Sequence, residues 1–380
     1  MDSYNFKTWI EIKKSSIEHN FGAIKSLLKP KTEFWAVVKY NAYGHGLVAF
    51  SKIAENLAVD GFCVDSVIEA NKLREEYIRK PILVLGATLP HLLASALQND
   101  ICITISNFEH LNNWIKSKYK PAFHLKIDTG MHRQGFFVED VPSVIALLKN
   151  WALKNKTAAE NYLKGIYSHF ASAKDINYPT FSDLQFNKFL EAVKLLGKAG
   201  IKNFKKHITA TGGTLTNPKY HLDLVRIGIG LYGFWPSKEL EIQVSERISL
   251  KPILSWHALI SEIKNLKAGE YVGYDLTEKI TKPTKIAILP IGYWHGFPRA
   301  LSSIGEALVG GKKARVIGRV SMDLITVDVT GINCRVSDIA TIIGKQKENK
   351  ISAEELAQKT NTSHYEIITR INPLIERAIK

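Results

Sequence analysis

The sequence contains little cysteine, and its few thiols form no recognisable pattern. Only three occur in 380 residues, Cys63, Cys102 and Cys334, and none belongs to a CxxC pair. Disulfide-dependent domains need dense cysteine pairs, and structural zinc sites need closely spaced Cys or His ligands. The spacing therefore argues against a disulfide framework and a zinc site and indicates a reducing compartment, so we predict a cytoplasmic protein without a metal centre.

Long hydrophobic runs and an excess of acidic residues are missing as well. No apolar run approaches the roughly 20 residues of a membrane-spanning helix. The N-terminal MDSYNFKTWIEIKK lacks the apolar core of a signal peptide. Asp and Glu number 36 against 51 Lys and Arg, which gives a formal charge of +15. Because the lysines are spread along the chain without interleaved aromatics, we expect a solvated surface that attracts small anions, not a nucleic-acid or membrane partner.

The sequence does contain a repeated alternation of short apolar strands and amphipathic stretches. The eight predicted strands are Phe34–Lys39, Gly61–Val64, Pro81–Gly86, Ile101–Ile105, Phe123–Asp128, Leu163–Phe170, Lys205–Ala210 and Leu224–Ile229. Apolar strands that alternate with helices are typical of a parallel sheet buried on both faces, and eight units predict a (β/α)8 TIM-type barrel. In the stretch SVIEANKLREEY, we expect Ile68, Leu73 and Tyr77 near one helix face.

The rhythm changes after about residue 243. Segments such as TKIAILPIGYWHGF and ARVIGRVSMDLITVDVTG are rich in extended patterns, and only SAEELAQKT is clearly helical. We therefore predict an α/β chain with a barrel domain over residues 8–243 and a mostly β domain over residues 244–380. N-terminal residues 1–14, which include the strand-like TWIEIKK, could pack with the second domain.

The stretch AVVKYNAYGHG places Lys39 at the end of the first predicted barrel strand. The C-terminal ends of the strands carry the chemistry in this fold. A lysine that caps the strand and reaches water is the simpler interpretation. Alternatively, a lysine held at the barrel mouth is an amine nucleophile for an aldehyde, and pyridoxal phosphate (PLP) is the leading candidate. Tyr43, in the following loop, could bind a phosphate or pack as a surface aromatic.

A PLP site also needs a phosphate cradle and a partner for the ring nitrogen. Gly228 and Gly230 in RIGIGLYG, with Thr211 after the seventh strand, offer N–H and hydroxyl donors. Arg226 lies in an apolar strand and is costly there unless it is paired, either with a ring nitrogen or in a salt bridge. His169 could stack on a planar ring or be an ordinary barrel histidine.

The segment KIDTGMHRQG is a second dense group of polar residues. Lys126 and Asp128 alternate on one strand face, and Arg133 in the following loop is suited to hold a carboxylate. A simple turn after the fifth strand is the alternative. In the second domain, Tyr274 in YVGYD and Tyr293 in IGYWHGF could each act as a base or belong to the core.

These motifs, in this order, resemble the alanine racemase family of fold-type III PLP enzymes. The resemblance covers nearly the whole chain and rests on AVVKYNAYGHG, PILVLGA, KIDTGMHRQG, GIYSHFA, DLVRIGIGLYG, VGYD, PIGYWHGF and GRVSMDLITVDVT. It implies a homodimer with shared active sites, which interconverts L-alanine and D-alanine by a two-base mechanism and supplies D-alanine for peptidoglycan.

The resemblance also implies a role for each matched residue. Lys39 would hold PLP and act as base on one face of the α-carbon, with the partner subunit's Tyr274 on the opposite face. Arg133 and the backbone N–H of the partner subunit's Met322 would bind the substrate carboxylate. Lys126 matches a position that is carbamylated in many members. The remaining cofactor contacts would come from Tyr43, His169, Thr211, Arg226, Gly228 and Ile229.

Three positions depart from the family pattern. Ala210 replaces a polar residue after the seventh strand, Pro373 stands where some members have a phosphate-binding tyrosine, and Tyr40 stands where alanine is usual. Strand alternation predicts that Tyr40 points away from Lys39, toward the surrounding helices. The alternatives are a broader amino-acid or serine racemase, a non-catalytic PLP-binding barrel protein, and a metal-dependent barrel aldolase or dehydratase.

Overall fold

The computed structural model describes residues 6–380, which form two compact units. The first unit contains Ser15–Ala42 and Leu47–Pro252. The second contains the described residues up to Lys14, the short segment Tyr43–Gly46, and Ile253–Lys380. The predicted domain boundaries rest on the change near residue 243 from alternating strands and helices to mostly extended segments, whereas these units are defined by spatial contacts. No helix in the described part of the chain has the length and apolar content needed to cross a membrane.

An eight-stranded parallel sheet forms the first unit, which confirms the barrel prediction. Its strands are Glu33–Val37, Gly61–Val64, Ile82–Ala87, Ile101–Ile105, Phe123–Lys126, Leu163–Tyr167, Lys205–His207 and Leu224–Ile227. Neighbours in the chain pair in parallel up to the seventh strand, and the first strand also pairs with the eighth. The backbone N–H groups of Asp223 and Arg226 donate to the carbonyls of Lys206 and Thr209 (3.1 and 3.2 Å), which links the seventh and eighth strands.

Amphipathic helices follow most barrel strands. The α-helices of this unit are Lys14–Lys25, Leu47–Asn56, Val67–Glu75, Leu93–Gln98, Phe108–Lys116, Val141–Lys154, Thr180–Lys198, Thr211–Thr216 and Lys238–Val244. In Val67–Glu75 the prediction for one buried face was wrong, because Leu73 is buried but Ile68 and Tyr77 are 70% and 74% exposed. Positions five apart lie about 140° apart around a helix, and Tyr77 lies beyond the helix end.

The second unit is mostly β, as predicted. Its strands are Thr8–Ile12, Leu254–Leu259, Glu262–Leu266, Tyr271–Val272, Glu278–Lys279, Thr284–Leu289, Glu306–Val309, Lys312–Arg315, Ile325–Asp328, Ile339–Gln346, Asn349–Ile351 and Glu376–Ile379. Thr8–Ile12 pairs antiparallel with Leu254–Leu259 and parallel with Glu376–Ile379 in a seven-stranded sheet. The two α-helices are Ala353–Lys359 and His364–Thr369, and short 3₁₀ turns occur at Tyr274–Leu276, Tyr293–His295 and Arg299–Leu301.

Candidate active site

Lys39 follows the first barrel strand, which ends at Val37, and begins a left-handed turn. Tyr40, Asn41 and Ala42 have φ values of 54°, 56° and 51°. This conformation costs a non-glycine residue roughly 1–2 kcal/mol, so a consecutive run persists only where its surroundings hold it. Here the Asn41 side chain accepts the N–H of Leu47 at 2.9 Å, and Ala42 N–H donates to the Val38 carbonyl at 2.8 Å.

This turn brings Tyr40 beside Lys39, so the prediction that Tyr40 points away is wrong. The Lys39 Nζ lies 4.9 Å from the centroid of the Tyr40 ring. Strand alternation fails here because the extended backbone has already ended before Tyr40. Asp65, just after the second strand, is the acidic neighbour of this pair, with its Oδ1 3.6 Å from Lys39 Nζ. Sequence reasoning missed Asp65, because it lies between the predicted strand Gly61–Val64 and the stretch SVIEANKLREEY and belongs to neither.

Arg226 is buried in the eighth strand at 2% exposure, and its hydrogen-bond acceptors are all uncharged. One guanidinium nitrogen donates to Nδ1 of His207. The other donates to the Ser168 carbonyl (2.8 Å) and the Ile208 carbonyl (3.1 Å) and lies 3.3 Å from Nδ1 of His169. Among residues 6–380, these neutral acceptors take the place of the salt bridge that would have explained a buried arginine, and no carboxylate pairs with Arg226.

The bond from Arg226 fixes the protons of two buried histidines. Arginine only donates, so Nδ1 of His207 accepts and the proton of the neutral ring lies on Nε2. That Nε2 lies 2.8 Å from Nδ1 of His124, to which it donates. Burial, with Arg226 as the first of the nearby charges, holds the pKa of His207 well below its usual value, and burial also lowers the pKa of His124 to about 3. Both rings are therefore neutral, and no pattern in the sequence marks either residue.

Lys126, the last residue of the fifth strand, is also buried, at 6% exposure. Its Nζ lies 4.5 Å from the centroid of the Tyr167 ring. Burial, followed by the positive charges of Arg226 and Arg133, holds the pKa of Lys126 well below its ordinary value. This shift enlarges the fraction of Lys126 that is a neutral, nucleophilic amine.

The loop that carries Arg133 is organised by Asp128. One carboxylate oxygen of Asp128 accepts the backbone N–H groups of Gly130, Met131 and His132 at 2.9–3.0 Å. Burial alone would raise the pKa of Asp128, but these donors hold that pKa below its usual value. Gly135 returns the chain at φ 130°, where a Cβ would lie 2.5 Å from the Asp128 nitrogen. The turn interpretation is therefore right for the backbone, and the turn presents an exposed Arg133.

His169 is influenced by the charges of four cationic residues of the barrel. Burial lowers its pKa well below the usual value, and the nearby positive charges of Lys126, Arg226, Arg133 and Lys39 lower it further. The side chain of Gln185 donates to the His169 carbonyl at 3.2 Å and accepts the Ala171 N–H at 2.9 Å, which fixes the backbone around this histidine.

The loops after the seventh and eighth strands pack closely on each other. The hydroxyl of Thr211 accepts the backbone N–H of Gly230 at 3.3 Å, and a Cβ on Gly230 would lie 2.6 Å from the Thr211 methyl group. Gly228 is buried, as is Ile229 at 3% exposure. Ala210, the departure from the family pattern, directly precedes the helix Thr211–Thr216.

Tyr43, Tyr274 and Met322 belong to the second unit. Tyr43 is half-buried and lies 6.3 Å from Tyr365 between ring centroids. Tyr274 and Met322 are 69% and 56% exposed, and Tyr293 is 45% exposed, so none of the three is a core residue.

The second unit holds Met322 against the Tyr293 turn. The Met322 carbonyl accepts the Trp294 N–H at 2.9 Å, and the Ser321 carbonyl accepts the Tyr293 N–H at 3.0 Å. Gly292 permits this approach, because a Cβ there would lie 2.3 Å from the Ser321 oxygen.

Comparison with known proteins gives a consistent result over almost the whole length. The model "Alanine racemase, N-terminal domain" matches residues 12–236, and "Alanine racemase, C-terminal domain" matches residues 253–379. The chain belongs to the alanine racemase family. It is therefore an amino-acid racemase, and the family is generally PLP-dependent.

Individual relatives agree with the family match. The alanine racemase of Leptospira interrogans is 38% identical, over 98% of this chain and 96% of its own. That of Methanococcus maripaludis is 37% identical, over 97% of each chain. Among solved structures, the alanine racemase of Bacillus anthracis with bound L-Ala-P superposes with a TM-score of 0.91 at 31% identity, covering 100% of this chain and 96% of that one.

Proposed function

We propose that this alanine racemase uses PLP and two bases, Lys39 and the partner subunit's Tyr274, to interconvert the alanine enantiomers. The observation that supports binding of PLP is the group of cationic residues around His169. Lys39, Lys126, Arg133 and Arg226 all act electrostatically on His169. Such a concentration of positive charge fits a ligand that brings a phosphate, together with an amino acid that brings a carboxylate.

The residues present also fit the individual parts of PLP. Lys39 supplies the amine for its aldehyde, and Arg226 supplies a donor for the ring nitrogen. Tyr43, Thr211, Gly228 and Ile229 are the proposed phosphate contacts, and His169 is the proposed neighbour of the ring. When bound, PLP withdraws electrons from the α-carbon of the amino acid and so makes its proton acidic.

Racemisation requires a proton to leave one face of the α-carbon and another to arrive on the opposite face. Lys39 Nζ accepts or donates the proton on one face, and the hydroxyl of the partner subunit's Tyr274 does so on the other. Arg133 and the backbone N–H of the partner subunit's Met322 hold the carboxylate, which keeps the α-carbon between the two bases. Arg226 cannot readily give up a proton. It would therefore not protonate the ring nitrogen of a bound PLP, and this would favour return of the proton to the α-carbon.

Lys126 has a separate proposed role as a carbamate. A neutral amine adds to CO₂, forming an N–C bond and releasing one proton. The carbamate would place a negative charge beside Arg226 and Arg133, the two positive charges that act on Lys126. That charge would offset the repulsion between the cations and orient Arg133 toward the substrate carboxylate.

The exposed face of the second unit supports the homodimer. Tyr274, Leu276, Trp294 and Met322 are 69%, 63%, 47% and 56% exposed. Trp294 and Met322 are joined through their backbones, and large apolar side chains that remain exposed are typical of protein–protein contacts. We also propose that the enzyme is cytoplasmic, since Cys63, Cys102 and Cys334 are free thiols, and that it supplies D-alanine for peptidoglycan.

The test is to incubate the purified protein with L-alanine and PLP and to measure D-alanine by chiral chromatography. We expect turnover in the wild type and none in Lys39→Ala. Absence of turnover in the wild type, or full turnover in Lys39→Ala, would overturn the proposal. L-Serine and other amino acids in the same assay decide between an alanine-selective enzyme and a broader racemase.

A further inference from the structure

The amine of Lys39 lies between a carboxylate and an aromatic face. Asp65 Oδ1 is 3.6 Å from Lys39 Nζ, and the Tyr40 ring centroid is 4.9 Å away. Burial and then the nearby charge of Asp65 raise the pKa of Tyr40, so the Tyr40 hydroxyl interacts with the same carboxylate and the three side chains form one group. An ammonium is attracted both by a carboxylate and by the face of a ring.

Glu69 fixes the positions of Tyr40 and Asp65, the two residues that contact the Lys39 amine. Its carboxylate accepts the backbone N–H of Tyr40 at 2.6 Å through one oxygen and that of Asp65 at 2.8 Å through the other. Glu69 lies in the first turn of the helix Val67–Glu75, whose N-cap is Ser66. The left-handed turn and the end of the second strand are thus bound to the same carboxylate.

Gly86, in the third strand, sets the direction of Asp65. Its backbone N–H donates to the Asp65 carbonyl at 3.1 Å. A Cβ on Gly86 would lie 2.4 Å from that carbonyl oxygen and 3.1 Å from Asp65 Oδ2. Only glycine allows this approach, so Oδ2 packs against the third strand and Oδ1 faces Lys39.

We propose that Asp65 and Tyr40 are positioning residues that hold the Lys39 side chain whenever its amine is not bonded to PLP. The inference rests on the proposed function, since Lys39 is one of the two bases proposed there. When Lys39 Nζ carries the α-proton, Asp65 and the Tyr40 ring stabilise the ammonium, and the proton stays on Nζ until it returns to carbon. The hydroxyl of Tyr40 weakens the attraction by sharing the Asp65 carboxylate, which leaves Lys39 free to move.

The first experiment uses the PLP-free protein and needs no turnover. Acetic anhydride labels neutral amines, and mass spectrometry of the Lys39 peptide gives the rate of labelling at neutral pH. We expect Asp65→Asn to label Lys39 about threefold faster than wild type, because a partly exposed ammonium loses its counter-charge. Tyr40→Phe keeps the ring but frees the carboxylate, so it should label Lys39 more slowly than wild type.

The matched control is another lysine–aspartate pair of the barrel unit. Lys25 Nζ lies 3.4 Å from Asp60 Oδ2, and their side chains are 39% and 36% exposed. The Asp60 carboxylate also accepts the backbone N–H of Phe34 at 2.8 Å, whereas Asp65 accepts that of Gly86 through its backbone carbonyl. Asp60→Asn should speed the labelling of Lys25 and leave that of Lys39 unchanged.

The catalytic consequence is measured on the PLP-loaded dimer. Asp65→Asn should lower kcat about tenfold while KM for alanine stays within twofold, because the substrate contacts are elsewhere. Equal labelling of Lys39 in wild type, Asp65→Asn and Tyr40→Phe would overturn the inference, as would an unchanged kcat. Failure of the wild type to racemise alanine would instead overturn the proposed function, so the two results are distinguishable.

Discussion

The guanidinium of Arg226 donates to Nδ1 of His207, and His207 in turn donates to His124. This short chain places the protons of two buried rings without any carboxylate among its members. It also holds Arg226, the proposed partner of the ring nitrogen of PLP, in one orientation.

Removal of the acceptor for Arg226 should therefore destabilise the barrel. His207→Phe leaves a buried guanidinium donor unpaired, and we expect the free energy of unfolding to fall by about 2–3 kcal/mol. His207→Asn keeps an oxygen near the position of Nδ1 and should lose less. Urea unfolding followed by circular dichroism measures both variants. Equal losses would show that Arg226 does not depend on this acceptor.

The same histidines predict a pH dependence of stability. The pKa of His124 is lowered by burial to about 3, and that of His207 lies well below its usual value. The unfolded chain therefore takes up protons below about pH 6.5 that the folded chain does not bind. Stability should be complete above pH 6.5 and should fall toward pH 4, by up to about 1.4 kcal/mol per pH unit for each histidine.

Urea unfolding at successive pH values measures this slope. His124→Asn still offers an acceptor to His207 but cannot take up the proton, so its slope between pH 6.5 and 4 should be shallower. A variant slope equal to that of the wild type would assign the pH dependence to other groups.

Gly135 should tolerate no side chain. Its φ of 130° disfavours other residues, and a Cβ would lie 2.5 Å from the Asp128 nitrogen. We expect Gly135→Ala to cost about 2–4 kcal/mol and to raise KM for alanine, because the displaced loop carries Arg133. Gly22→Ala is the control, since Gly22 lies in a helix with nothing within 4 Å of its Cβ position. That variant should be neutral or more stable by up to about 1 kcal/mol.

Replacement of Lys126 should lower activity in a way that a small carboxylate can reverse. Lys126→Ala removes the proposed carbamate, and kcat should fall about tenfold. Added acetate can place a negative charge beside Arg133 and should restore part of the rate. Lys164→Ala, an exposed lysine on the next strand, serves as the control. If acetate also accelerates Lys164→Ala or the wild type, the rescue is not specific to the lost charge.

Tyr274→Phe should separate catalysis from folding. The side chain is 69% exposed, so loss of its hydroxyl should leave the melting temperature unchanged. Activity should fall at least a hundredfold in both directions, since one of the two bases is lost. Tyr271→Phe, at a neighbouring tyrosine that is 47% exposed, should keep its activity. Retained activity in Tyr274→Phe would contradict the two-base mechanism.

The sequence was sufficient for the barrel because each strand is a local apolar run bounded by polar residues. Gly61–Val64 and Ile101–Ile105 coincide with the predicted bounds, and the other strands differ mainly at their ends. Lys126, His169 and Arg226 could be placed near one another from strand order alone, because the ends of parallel strands lie on the same side of a barrel.

The remaining features depend on tertiary contacts, which the hydrophobic periodicity of the sequence does not predict. The left-handed turn at Tyr40 is opposed by local propensity and exists because Asn41, Glu69 and other neighbours hold it. Asp65 and His207 became recognisable only through what lies beside them. A residue whose role is to orient another residue is recognised from its spatial neighbours, because no local sequence pattern distinguishes it.

The short segment Tyr43–Gly46 has a consequence for how the gene can be divided. It belongs to the second unit although the first unit surrounds it in the chain. The Gly44 carbonyl accepts from the Arg377 side chain, more than 300 positions later. No single cut can therefore yield two complete halves, and a fragment that stops at residue 252 would keep these four residues while losing Arg377.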